Sequence, residues 1–241
     1  MTPEQRRTST ELCVNMNTNH LLLLLRENKL FNSMTEAVIA ECAKHFTLIH
    51  SRRRQHLYRQ GDPCGQIYCL LRGSVRVARL AEDGSEFTTR IVGHCDVFGE
   101  EALFDEVPYS STATPVCDGV VAVCSASTMR SLIARYPTLS INIAHCLRDD
   151  QTRMLNRLEQ VSYKPVRDRL FSLLRELAAQ SDASDVRSGK YEIKLTHVEI
   201  ASLIGSTRET VSLELNKLAR AGLIGKRGRK ILIDLATSAA A

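Results

Sequence analysis

Between Pro137 and Pro165 the chain runs for twenty-seven residues without a glycine or a proline. Such a stretch reads as one long helix, from Pro137 to about Tyr163. Pro137 suits its first turn, where a missing N–H would be unpaired anyway, and Lys164-Pro165 ends it. Ile143, Leu147, Met154, Leu158 and Val161 form one apolar stripe with heptad-like spacing, interrupted by Asp150. A stripe of this kind serves either as a coiled-coil dimer seam or as a packing face against a neighbouring domain. Arg148, Asp149, Asp150, Arg153, Arg157 and Glu159 leave the helix largely solvated elsewhere, which favours the seam.

The texture differs on the two sides of this helix. Residues 1–19 are polar and irregular, and residues 20–49 read as two or three short helices, the leucine run Leu21–Leu25 giving the first its buried face. Ala37, Ile39, Ala40 and Ala43 would be the apolar face of another. From Arg52 to Ser125, short β-rich runs (Ile67–Leu71, Val75–Ala78, Phe87–Val92, Val120–Cys124) alternate with turn signals. Several short strands at such spacing indicate an all-β sandwich or barrel. Asp83-Gly84 is the expected hairpin turn.

The last third reads as helical with a closing hairpin. Val166–Ala179 has Leu170, Leu173, Leu174 and Leu177 on one side. After the short strand Tyr191–Leu195 come two short helices joined at Gly205. Thr196-x-x-Glu199 fits a capping box, and so does Ser206-x-x-Glu209, with Thr207 an alternative cap. Val211, Leu215 and Leu218 share a face of the second helix, leaving Arg208, Glu209 and Ser212 elsewhere on its surface. Two short helices at a glycine turn form a helix-turn-helix, whose second helix reads bases with its N-terminal residues. Arg can donate two hydrogen bonds to guanine and Glu can accept one from cytosine. The basic turn Gly225–Lys230, with Lys226, Arg227 and Arg229, followed by the strand Ile231–Leu235, reads as a wing that touches phosphates.

Charge placement agrees with this division. From Ser162 to the end there are 14 Lys/Arg and 9 Asp/Glu, whereas the first 161 residues carry 18 of each. The basic excess belongs to the third that holds the helix pair, which favours a polyanionic partner there. No segment approaches the ~20 apolar residues of a membrane span, and a cytoplasmic location is expected. The eight cysteines form no C-x-x-C pair, and most are expected to be reduced, buried small hydrophobes. No metal site is assigned. Phosphate-cradling glycine loops, G-x-S-x-G elbows and H-E-x-x-H pairs are all missing, so an enzyme built on Cys/His chemistry has no motif behind it.

The order of a β-rich domain, a long helix and a winged helix-turn-helix resembles the cyclic-AMP receptor/fumarate-nitrate regulator (CRP/FNR) family of bacterial transcription factors. The resemblance covers about residues 28–235. It rests on Gln60-Gly61-Asp62-Pro63 with Gly73, on Gly93-x-x-Asp96-Val97-Phe98-Gly99-Glu100-x-Ala102-Leu103-Phe104, and on Gly205 to Ser212. It implies an α+β chain with four parts: an N-terminal extension (1–27), a cyclic-nucleotide-binding-like β-roll or jelly roll (28–136), a dimerisation helix (137–163) and a winged helix-turn-helix (164–241). It further implies a homodimer on a palindromic DNA operator, and contact with RNA polymerase. Arg208 and Glu209 match base-reading positions, whereas Thr207, Thr210, His197 and Arg229 match positions near phosphates. Leu213 stands where cyclic-AMP-type members carry a further Arg, so the half-site is expected to be only related to TGTGA.

The effector pocket departs further from the family pattern. Gly99-Glu100 is present, but the Arg-Ser or Arg-Thr that pairs with a cyclic phosphate is replaced by Ser110-Ser111. On the long helix, the positions that would meet adenine hold Met154-Leu155. A buried phosphate without a counter-ion is costly, so cyclic AMP is disfavoured as the effector. Glu100 is then expected to pair or cap within the fold. An iron–sulfur cluster is excluded, because only Cys13 lies near the N-terminus. Haem or thiol sensing through His94-Cys95, a non-nucleotide metabolite and effector-independent activity remain as alternatives.

Overall fold

A computed structural model describes residues 18–82, 84, 86–104, 107–179, 186–187, 190–228 and 230–234. The N-terminal part opens with α1 (Thr18–Glu27), a 3₁₀ turn at Lys29–Phe31 and α2 (Glu36–Ala43). The strands follow: β1 (Thr47–Ser51), β2 (Gln66–Arg72), β3 (Val75–Leu80), β4 (Glu86–Val92), β5 (Val97–Phe98), β6 (Thr112–Pro115) and β7 (Gly119–Ser125). They form two antiparallel sheets, ordered β1-β7-β2-β5 and β4-β3-β6. The helical expectation through residue 49 overshoots, because Thr47–Ser51 pairs with β7 instead.

The first sheet is buried on both faces, which explains why β2 and β7 are near-continuous apolar runs. Tyr68, Leu70, Val121 and Val123 point into the roll, where they meet Val75, Val77, Phe98 and Tyr109. Ile67, Cys69, Leu71, Ala122 and Cys124 point the other way, into a second core with the helices. Period-two alternation therefore sorts these residues between two cores. Leu21 and Leu25 of α1 belong to the second core, so residue 27 is no packing boundary. On α2 the buried residues are Ile39, Cys42 and Ala43, while Ala37 is exposed.

After α3 (Ala126–Arg135), capped by Ser125, the long helix α4 runs from Thr138 to Tyr163. Its expected stripe is split. Ile143 is buried in the helical core of its own β-roll, and Leu147 packs against that core. Asn142, buried beside them, donates to the carbonyls of Leu30 (2.8 Å) and Asn32 (2.9 Å). The first half of α4 is thus a packing face of its own chain. Met154, Leu158 and Val161, farther along the stripe, are exposed. Periodicity places all five residues on one face but does not say what each half lies against.

The C-terminal part comprises α5 (Val166–Ala179), β8 (Val186–Arg187), β9 (Lys190–Ile193), α6 (His197–Ile204), α7 (Arg208–Arg220), β10 (Gly225–Arg227) and β11 (Lys230–Ile233). Its sheet has the order β10-β11-β9-β8. Leu170, Leu174, Ile200, Val211, Leu215 and Ile233 lie at its centre, and Ile91 and Val116 of the β-roll complete this core. The C-terminal part is therefore docked on the roll. Thr88 of β4, fully buried, donates its N–H to Ser202 Oγ of α6 at 2.9 Å, and the two hydroxyls are 3.1 Å apart. No described helix is long and apolar enough to cross a membrane.

Candidate DNA interface and effector pocket

The helix pair is built from local capping. Thr196 caps α6 in the expected capping box with Glu199. Gly205 ends α6 in the left-handed conformation (φ +62°), which L side chains rarely adopt. Arg169 of α5, largely buried, donates to the carbonyls of Ile204 (2.6 Å) and Gly205 (3.4 Å). A cation at the carboxyl end of a helix satisfies orphan carbonyls and complements the helix dipole. No local pattern in the sequence announces Arg169, because it acts from another helix. At α7, Thr207 is the N-cap and accepts from Thr210 N. The Ser206–Glu209 box does not form, because the helix begins one residue later.

On α7 the sorting of faces is as expected. Val211, Leu215 and Leu218 are buried, whereas Thr207, Arg208 and Glu209 are exposed. Leu213, one turn beyond Glu209, is 61% exposed. Ser212 is half-buried and sits 2.7 Å from His197 Nδ1, so these two candidate DNA contacts meet each other. Burial, then the Lys226 and Arg208 charges, lowers the His197 pKa. The wing carries Lys226, which donates to Asn216 Oδ1 at 2.6 Å, and Arg227, whose guanidinium is 3.8 Å from Glu192. Both are exposed, and the first of these bonds places Lys226 beside α7. Arg229 lies outside the described residues.

The second site lies in the roll, between its sheets and α4. Gly99, Glu100, Ser110, Ser111 and Met154 line one cavity, as expected from the sequence. Leu155 does not line it and is 58% exposed, because it projects from another face of α4. Gly99 has φ +75°, and a Cβ there would lie 2.8 Å from Tyr68 Cδ2, so only glycine fits. This turn aims Glu100 into the cavity.

The expectation that the cavity has lost its cations is overturned. Arg79, Arg90 and Arg153 line it, together with Glu101 and Asp150. Arg90 lies on β4, far in sequence from Ser110-Ser111. Its guanidinium is 3.2 Å from Glu100 and also pairs with Asp150 of α4. Glu100 does pair within the fold. Arg153 pairs with Asp150 and lies 3.7 Å from Asp96, which Lys29 holds at 2.9 Å. Residues from β4, the Gly99 turn, α4 and the N-terminal segment thus form one ion-pair chain. Three successive residues of β4 face different parts of the molecule: Thr88 meets α6, Thr89 O accepts from Arg157 of α4, and Arg90 enters the cavity.

The described cysteines form no disulfide. Cys42, Cys69, Cys124 and Cys146 are buried, and burial pushes the Cys124 and Cys146 thiols up to about 11. These are packing residues. His94-Cys95 does not line the effector cavity, which separates it from any haem bound there.

Residues 48–136 match the model of the cyclic nucleotide-binding domain, and residues 168–237 match that of the Crp-like helix-turn-helix domain. The transcriptional regulator SdrP of Thermus thermophilus is 31% identical over 177 residues, covering 72% of this chain and 82% of that protein. A CRP-like cAMP-activated global transcriptional regulator of Mycobacterium tuberculosis is 29% identical over 211 residues, 88% of this chain and 94% of that protein. Among solved structures, a CRP-family transcriptional regulator of Thermus thermophilus superposes with a TM-score of 0.67 at 30% identity, covering 79% of this chain and 94% of the other.

Proposed function

Since this chain belongs to the CRP/FNR family of transcription regulators, we propose that it works as a homodimer on a two-fold symmetric operator, governed by a small-molecule effector other than cyclic AMP. It is a regulator and not an enzyme. The observation that carries the DNA reading is the exposed Arg208-Glu209 first turn of α7, backed by the buried Val211, Leu215 and Leu218. Arg208 takes a guanine and Glu209 the amino group of a cytosine. Leu213, exposed on the same helix, offers an apolar contact to a thymine methyl where relatives would use a charge. Thr207, Thr210, His197, Lys226 and Arg227 supply phosphate contacts, with Arg229 added by position in the sequence. RNA polymerase is the further partner of the DNA-bound dimer.

The dimer seam runs along the second half of α4. Met154, Leu158 and Val161 form an exposed apolar strip there. Such a strip on a regulator helix needs a partner, and a second copy supplies one with matching spacing.

The effector enters the cavity between Glu100, Arg90 and Met154. Ser110-Ser111 provides no charge for a cyclic phosphate, and Arg90 is already held by Glu100 and Asp150. A ligand able to draw Arg90 or Asp150 away shifts β4 relative to α4 and α6, since Thr88 and Thr89 are bonded to those helices. That couples occupancy of the cavity to the pose of the recognition helix.

The test is anisotropy of purified protein on a TGTGA-N6-TCACA duplex, with and without cyclic AMP. Sequence-specific binding that weakens with salt and is unchanged by cyclic AMP is the expected result. Binding that appears only with cyclic AMP would show that Arg90 or Arg153 receives the phosphate and would reject the effector reading. Absence of sequence preference would reject the DNA reading.

A further inference from the structure

The turn between β4 and β5 gathers three side chains that neither the DNA interface nor the cavity uses. Glu27 ends α1, and His94 and Cys95 form the turn against it. One donor atom from each lies within 4.8 Å of the other two. His94 Nε2 is 3.5 Å from Glu27 Oε2, while His94 Nδ1 is buried without a hydrogen bond. A buried ring nitrogen with no partner is unusual and calls for an explanation.

The backbone holds this cluster in place. Cys95 has φ +63°, a conformation uncommon outside glycine. It is fixed on both sides: its N–H donates to Leu70 O at 3.1 Å, and its carbonyl accepts from Lys29 N at 2.9 Å. The second of these bonds ties the turn to the segment just after Glu27. The cluster therefore joins residues distant in sequence on a rigid frame, as a binding site requires.

We infer that Glu27, His94 and Cys95 form a three-ligand site for one divalent cation of borderline softness, with zinc the best match. Zinc takes thiolate, imidazole and carboxylate together, at about 2.0–2.3 Å. Calcium and magnesium, which want oxygen ligands, do not suit a Cys-His pair. Glu27 is 67% exposed and can swing inward to close the shell. On binding, the Cys95 thiol gives its proton to solvent and the sulfur bonds to the metal as thiolate. An imidazole nitrogen binds through its lone pair, and the fourth position stays open to water. Three protein ligands with one open position is the pattern of an exchangeable site rather than a closed structural one.

The site stands beside the ion-pair chain. Asp96, the next residue after Cys95, is the carboxylate shared by Lys29 and Arg153, and Arg153 leads through Asp150 to Arg90. A cation that draws α1 and the β4–β5 turn together acts on the end of this chain remote from the DNA.

The experiment uses full-length protein, stripped with a chelator and kept reduced, and titrated with Co²⁺ as a spectroscopic stand-in for zinc. One equivalent should bind with a thiolate-to-cobalt charge-transfer band, and Zn²⁺ should abolish the band by displacement. Cys95→Ser should remove the band. His94→Gln should weaken binding by at least the roughly tenfold typical of losing even an outer-sphere partner, and Glu27→Gln should weaken it less. Cys117→Ser, outside this cluster, should leave it intact. If Cys95→Ser misfolds by circular dichroism, the His94→Gln affinity decides. Absence of the band in the parent protein, its persistence in folded Cys95→Ser, or an unchanged affinity in His94→Gln would overturn the site.

Discussion

Around the effector cavity, Arg90, Glu100, Asp150 and Arg153 are largely buried and paired with one another. At the start of the recognition helix, Arg208 and Glu209 are exposed, and no hydrogen bond or ion pair holds either side chain among the described residues. The same residue types are used in opposite ways. Charges removed from water need their partners, and loss of one leaves the other stranded. Such a cluster is sensitive to anything that competes for a member, which suits sensing. Charges left in water cost little and interact weakly until a partner excludes the solvent. They suit recognition, because discrimination develops only against the right base edge.

The comparison can be broken by removing one charge from each set. Arg90→Ala strands Glu100 and leaves Asp150 to Arg153 alone, so a loss of about 3–5 kcal/mol is expected. Chemical denaturation checks it; a loss below about 1 kcal/mol would mean that water already screens the cluster. Arg208→Ala should leave that denaturation midpoint in place and lower specific DNA affinity by about 1–3 kcal/mol, relaxing selectivity at one base pair. Competition binding against single-substituted operators reads this, and an unaltered preference would take Arg208 out of the reading set.

Two smaller effects sharpen the boundary between the regions. Ser202→Ala removes the hydroxyl that receives Thr88 N–H, with an expected cost of about 1 kcal/mol. Hydrogen exchange should show faster opening at Thr88 than at Leu70, which lies in the interior of the roll. Equal protection would mean that Ser202 does not hold the docked pose. The smallest effect concerns pH. His197 has its pKa lowered in the folded chain, so the unfolded chain binds more protons below about 6.5. The stability this residue contributes is full above that pH and falls as pH drops toward the folded pKa. His197→Gln should flatten that segment of the stability–pH curve, and an unchanged slope would assign it to other groups.

The helix-turn-helix was readable because its determinants are local. The Thr196 capping box, the glycine at the C-cap of α6 and the Val211-Leu215-Leu218 face each depend on neighbours within a few residues, and each is present. The competing Ser206 box shows the limit: two adjacent hydroxyl residues can each cap the helix, and in the fold Thr207 does. The cavity was half readable. Gly99 and Glu100 form one turn, whereas Arg90 arrives from another strand and Asp150 and Arg153 from α4.

The sequence by itself determined most of the elements, the Thr196 cap, the apolar face of α7 and the basic excess of the C-terminal part. These follow from periodicity, backbone conformation and short-range hydrogen bonding. Only the tertiary structure decided that Ile143 and Leu147 turn inward while Met154, Leu158 and Val161 stay exposed, that Arg90 supplies the cavity with a cation, and that Glu27 meets His94 and Cys95. Each of these depends on which surfaces lie together after folding, and burial and Coulomb interaction act through distance in space rather than separation along the chain.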